Sequence, residues 1–214
     1  MPYRQTDNIA RKLAARHDAI LAAAAAAAAE GGMAAVQIAT VAQRAGIAAG
    51  TVYRYFPSKD DLVAALVAVI AEQEIAAIRD AAAAAPGPLS ALAAAIKAFA
   101  ARALGERRLA FAMLAGAAEA DAGAERLAFR HRLVAELATH IRAAIAAGHL
   151  PEQDADFAAA AVIGAVMEGL VGPLSGAPET AEARHSAAQA LTLFALRALG
   201  VVDARARGLV VQAG

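Results

Sequence analysis

Cysteine and tryptophan are both absent from the 214 residues, and aromatic side chains make up only 4%. Without cysteine the chain has no disulfide, no thiolate metal site and no cysteine nucleophile, which fits a reducing compartment. So few aromatic and β-branched runs leave little material for a sheet. The formal net charge is zero. The longest uncharged stretch, Ala81 to Ile96, is interrupted by Pro86, Gly87 and Pro88, whereas a membrane-spanning helix needs about 20 unbroken apolar residues. The opening MPYRQTDNIARK is polar and mixed in charge, without the basic-then-apolar order of a secretion signal. These absences predict a cytoplasmic location and no membrane partner.

What is abundant is alanine, the best helix former, which accounts for much of the 60% apolar content. The composition predicts an all-α chain, the length predicts two unequal domains, and the punctuation along the chain gives about nine helices. Charge is unevenly spread. Residues 1–59 hold seven basic side chains (Arg4, Arg11, Lys12, Arg16, Arg44, Arg54, Lys59) against Asp7, Asp18 and Glu30, a net +4 balanced by −4 in the remainder. That distribution is either chance or an orienting field that turns one end of the molecule toward a polyanion such as DNA.

Helical punctuation is readable along the chain. Asp7 or Asn8 is placed to cap a first helix carrying Ile9, Leu13 and Ile20 and running through the Ala22–Ala29 tract to Gly31 and Gly32. A short helix from Ile38 ends at Gly46, and another covers 49–56 before Pro57. Ser58 is placed as an N-cap with Asp61 reaching back, opening a long fourth helix toward Pro86. Beyond the Pro-Gly-Pro break the spacing predicts helices from Pro88 to about Leu104 and from Glu106 to about Ala118. A seventh carries Phe129, Leu133, Leu137, Ile141 and Ile145, with Leu127 and Val134 widening the stripe, and ends at Gly148. Two last helices are placed at about 154–171 and 178–199.

The stretch AGIAAGTVYRYFPSKDDL, residues 45 to 62, joins two short helices through a glycine with an apolar residue inside the turn. This is the pattern that sets a second helix into a major groove. Gly46 supplies a positive φ and Ile47 plugs the angle between the helices. Lys59 falls in the first turn of its helix, where the macrodipole disfavours a cation by up to about 1 kcal/mol. A nearby phosphate would reverse that sign, although a lone lysine is more often simply solvated. Thr51, Tyr53, Arg54 and Tyr55 add donors just before it.

At these residues the sequence resembles the TetR family of bacterial repressors, whose N-terminal segment reads like an arginine, an Ile-Leu pair, a Gly, an Ile-Ala pair and then AGVSxGTLYxYFxxKxxL. Arg16, Ile20-Leu21, Gly31 or Gly32, Val41-Ala42, Ala45-Gly46-Ile47, Gly50-Thr51-Val52-Tyr53, Tyr55-Phe56, Lys59 and Leu62 stand in those places. The resemblance covers about residues 12–67. It implies a helix-turn-helix domain over 8–57, with the motif itself at about 37–56, and a regulatory, ligand-binding and dimerisation domain over 58–214. It also implies that Thr51, Tyr53 and Tyr55 touch double-stranded operator DNA while Lys59 grips a phosphate. The full candidate DNA-contact set is Gln37, Gln43, Ala49, Gly50, Thr51, Tyr53, Arg54, Tyr55 and Lys59. Gln37 replaces a capping Thr, Ala48 replaces the usual Ser and Ala49 replaces a polar residue, so bidentate base readout is scarce. Thymine-methyl contact and DNA shape then carry more of the specificity.

The same resemblance implies a homodimer formed through the last two helices, where Gly164, Ala165, Gly169 and Gly172 permit close approach or merely reflect the alanine-rich composition. It implies a ligand pocket for an apolar or amphipathic inducer, with no other cofactor. Candidate lining residues are Phe99, Arg102, Met113, Phe129, Met167 and Glu168, with Phe111 and Glu119 as further candidates. Glu168, alone in an otherwise uncharged helix, belongs either to such a pocket or to an interface. An enzyme is disfavoured. A helical di-iron site needs paired Glu-x-x-His motifs and only Glu182 to His185 is present, while His131, His140 and His149 fall on alternating helix faces, which leaves metal sites unassigned. The reading is therefore a ligand-responsive repressor, with an activator or a helical binding protein of the same fold as the alternative.

Overall fold

The computed structural model describes residues 3–115 and 122–212, and among these residues it is all helical, without a strand. In chain order the helices are α1 (Tyr3–Gly31), α2 (Ile38–Arg44), α3 (Ala49–Tyr55), α4 (Lys59–Ala83), α5 (Pro88–Gly105), α6 (Arg107–Ala115), α7 (Gly123–Ala146), α8 (Ala155–Val166), α9 (Ala181–Ala198) and α10 (Asp203–Gln212). A short 3-10 turn (Met33–Ala35) precedes α2, and a π turn (Met167–Val171) extends α8.

The capping chemistry fixes several of these boundaries. Ser58 Oγ accepts from the Asp61 amide at 3.0 Å while Asp61 Oδ2 accepts from the Ser58 amide at 3.0 Å, so two orphan donors at the start of α4 are satisfied together. Asp154 Oδ1 accepts from the amides of Asp156 and Phe157, both at 3.0 Å, and opens α8. At the other end of the chain, α1 runs straight through Asp7 and Asn8, so neither is its cap.

The core is continuous from the small N-terminal helices into the larger bundle. α5 lies at its centre, packed against α4, α7 and α9, and buries Leu92, Ile96, Phe99 and Ala100. It is long and apolar enough by composition to cross a membrane, but 56% of that stretch is buried against neighbouring helices. On α7 the four-residue stripe is buried at Phe129, Leu133, Leu137 and Ile141. Leu127 does not widen it, being 52% exposed. The stripe of α1 is likewise shorter than its spacing predicts. Ile20, Leu21, Ala24 and Ala28 are buried, whereas Ile9 and Leu13 are half exposed, because the first turns of this 29-residue helix extend past the elements that cover its second half.

Two features depart from the expected nine helices. The segment expected as one helix over 154–171 leaves α-geometry at Met167, where the Gly172 amide donates to the Met167 carbonyl, five residues back, at 2.6 Å. Beyond Gly200 the chain forms α10, which buries Ala206 and Val210.

Candidate nucleic-acid interface and inner cavity

The reading head is built around a turn that only a residue comfortable in left-handed geometry can make. Gly46 has φ 65° and nothing within 4 Å of where a Cβ would stand, so its requirement is conformational rather than steric. The Gly46 amide donates to Gln43 O at 3.2 Å and the Ile47 amide to Ala42 O at 3.0 Å, closing the end of α2. Ile47 is half-buried between the two helices, and Val41, Ala42 and Val52 are buried beneath it. Phe56, buried at the end of α3, packs its ring 5.1 Å from that of His17 on α1. With Val52 and Phe56 pointing inward, the opposite face of α3 presents Ala49, Gly50, Tyr53 and Arg54, all exposed. Tyr53 is 51% exposed. Thr51 and Tyr55 flank that face half-buried, Tyr55 resting partly on the core, and Lys59 follows at the first position of α4.

Seven of the nine candidate contact residues thus lie in one continuous run from Ala49 to Lys59, and Gln43 is exposed on α2. Gln37 is the exception. It stands at the N-cap position of α2 in extended geometry without capping it, and its side-chain amide donates back to the Ala34 carbonyl at 3.0 Å. Arg44 is also committed elsewhere, because its guanidinium grips both carboxylate oxygens of Glu30 and so joins the last turn of α2 to the last turn of α1. Those hydrogen bonds, then the guanidinium charge, hold the Glu30 carboxyl below its ordinary range.

Ala48 occupies the N-cap position of α3 in extended geometry with no side-chain bond to the helix. Ala48→Ser supplies the missing acceptor, and the expected result is a gain of about 1 kcal/mol, raising Tm by roughly 2–4 °C for a chain of this size. A thermal melt that does not move, or moves down, would show that the end of α3 is satisfied in some other way.

A cavity of about 200 Å³ lies among α4, α5, α6 and α7. Phe99, Arg102, Met113 and Phe129 line it, together with Ile70, Leu109 and Leu114. Its polar wall was not apparent in the sequence. Arg102 Nε and Nη2 donate to the two oxygens of Glu74 at 2.9 and 2.5 Å, across the α4–α5 packing, and Glu106 stands beside them. The Glu74 hydrogen bond, offset in part by desolvation, raises the Arg102 pKa above its already high ordinary value. A four-helix junction brings Glu74 to Arg102, and only their distance in sequence hid the pair.

Met167 and Glu168 are not in this cavity. Met167 lines a separate groove between α7 and α8, and Glu168 is exposed, since the π turn changes the helical phase at these two residues. Phe111 is 39% exposed, on the outside of α6. Glu119 lies outside the described residues.

Comparison with known proteins agrees with this geometry. Residues 20–66 match the sequence profile of the bacterial regulatory proteins of the tetR family. The HTH-type transcriptional repressor KstR of Rhodococcus jostii (strain RHA1) is 47% identical over 53 residues, a match that spans a quarter of this chain and a quarter of that repressor. Over most of the chain the likeness is structural. RolR in complex with resorcinol superposes with a TM-score of 0.63 at 21% identity, over 94% of this chain and 95% of RolR. Salmonella enterica GusR does so with a TM-score of 0.66 at 26% identity, over 86% of this chain and 95% of GusR. The reading head over residues 20–66 is thus that of the bacterial regulatory proteins of the tetR family, set on a helical body that shares the fold of these solved structures.

Proposed function

We propose that this regulator is a repressor that binds a two-fold symmetric operator as a homodimer and is released by a small apolar or amphipathic molecule entering the inner cavity. The observation that carries the reading is the outward run of Ala49, Gly50, Tyr53 and Arg54 on a helix whose other face is locked into the core, followed at once by Lys59. The proposed contact set is the one named from the sequence, with Gln37 at its margin. The proposed division of labour is residues 8–57 for DNA and 58–214 for regulation and dimerisation. Repression, rather than activation, follows KstR, a transcriptional repressor 47% identical to this chain over 53 residues.

Dimerisation is supported by an unpartnered face on α8 and α9. Phe157 is 73% and Phe194 58% exposed, next to the small residues Ala161, Gly164 and Ala190. Two such faces brought together would bury both aromatic rings and set two reading heads about one helical turn of DNA apart.

Release is supported by the connections of α6. Leu109 and Met113 of this helix line the cavity, while Arg108 Nη1 donates to the Glu30 carbonyl at 2.8 Å, at the end of α1. Glu30 in turn holds Arg44 of α2. A ligand that favours one position of α6 therefore acts on the reading head through hydrogen bonds, and couplings of this kind are typically ~1–3 kcal/mol. RolR holds resorcinol in its structure, so the shared fold accommodates a ligand of single-ring size.

The test is to sequence DNA fragments selected by the purified protein and to measure the stoichiometry on them. Two protomers on an inverted repeat is the expected result. A protein that stays monomeric at working concentration, or that selects sites without two-fold symmetry, overturns the proposal.

A further inference from the structure

From the charges around the inner cavity we infer the class of its ligand: a neutral, hydroxyl-bearing molecule with an apolar body of single-ring size, in preference to an acid or an amine of the same shape. The inference rests on reading the cavity as the effector site. Its volume, about 200 Å³, is somewhat larger than the roughly 150 Å³ that an apolar cavity needs to take up benzene. Phe99, Met113 and Phe129 offer an aromatic body edge and sulfur contacts.

The polar wall decides the head group. One guanidinium stands against two carboxylates, and Arg102 has already spent Nε and Nη2 on Glu74. An incoming carboxylate would have to displace Glu74 from a bidentate partner and sit beside Glu106, so it meets repulsion at a cation that is no longer available. An ammonium finds the opposite difficulty. Glu106 already lies in the field of the Arg102 guanidinium, which repels a second cation, and the rest of the cavity offers a cation only apolar walls in exchange for its hydration. A hydroxyl loses far less on leaving water. It can donate to a carboxylate oxygen and accept from the Nη1 group that Glu74 does not engage, so both halves of the wall are used without separating the ion pair.

Three molecules on one skeleton test this: phenylpropanol, phenylpropanoate and phenylpropylammonium, titrated calorimetrically against the full chain. The expected result is that the alcohol binds at least about tenfold more tightly than either ion. Glu106→Gln is expected to narrow its advantage over the carboxylate. Ala110→Phe, which fills the cavity from α6, should abolish binding, and Ala110→Leu, a milder filling, should weaken it. Tighter binding of either ion, or alcohol binding that survives both fillings, overturns the inference about the head group. If none of the three binds up to its solubility limit, the cavity is no effector site for molecules of this size, and the reading beneath the inference falls with it.

Discussion

Exchanging Tyr53 and Lys59 together for alanine is expected to lower affinity for the selected operator by about 100-fold, taking roughly 1.4 kcal/mol, or one factor of ten, for each contact. The two residues act differently. Tyr53, half exposed at the centre of the outward face of α3, loses a ring and a hydroxyl at the groove, and Tyr53→Phe should keep the ring's share. In the proposed interface Lys59 is a cation at the DNA backbone, so its loss should weaken all sequences alike and reduce the salt dependence of binding by about one released counterion. Asp60 and Asp61, which follow it, satisfy the positive end of α4, and the capping box through Ser58 stays in place. Neither side chain is part of the buried core, so the melt should not change. Operator retention that is unaltered in the double variant, with the fold intact, would remove α3 from the DNA interface.

The local parts of this fold were legible because their signals are local. Ser58 and Asp61, Gly46 and Ile47, and the α7 stripe from Phe129 to Ile141 each declare themselves within a few residues, and the structure forms each one, with Leu127 left outside the stripe. Ile9 and Leu13 show the limit of periodicity, which says which residues share a face but not whether another element covers it. α10 was missed although Ala206 and Val210 repeat at helical spacing and Asp203 sits in its first turn, a short signal easily lost beside the longer helices. The π turn had no signal at all. One extra residue per turn is accommodated by whatever satisfies the carbonyls beyond it, and here that partner, Arg107, lies more than sixty residues earlier in the chain. The same holds for the cavity. Its apolar wall could be guessed residue by residue from Phe99, Met113 and Phe129, but the pairing of Glu74 with Arg102, which determines its chemistry, exists only once α4 and α5 have packed.

Arg107 gives the second large effect. From the first position of α6 its Nε donates to the Leu170 carbonyl at 2.8 Å, and Nη2 donates to the carbonyls of Gly172 at 3.1 Å and Ser175 at 2.8 Å and also meets Ser175 Oγ. The end of an apolar helix and the turn after it are thus closed by one partly buried guanidinium, a cation at a helix C-terminus where the dipole favours it. Gly172 fits the same arrangement, since a Cβ there would stand 2.8 Å from the Met167 carbonyl. Arg107→Ala leaves several carbonyls without a donor. Water can replace some of these bonds at a half-buried site, so the expected cost is about 2–4 kcal/mol, seen as a Tm lower by roughly 5–12 °C. Arg107→Lys should recover little of it, because a single ammonium cannot fork across carbonyls of three residues. A melt within a degree or two of the parent would mean that the turn closes without Arg107. The turn leads from α8 into the approach to α9, the two helices whose exposed faces carry Phe157 and Phe194, while α6 lines the cavity. Loosening it should therefore weaken the proposed self-association as well as stability, and if the parent dimerises as proposed, a concentration-dependent loss of that dimer in Arg107→Ala at temperatures well below its melt would separate the two effects.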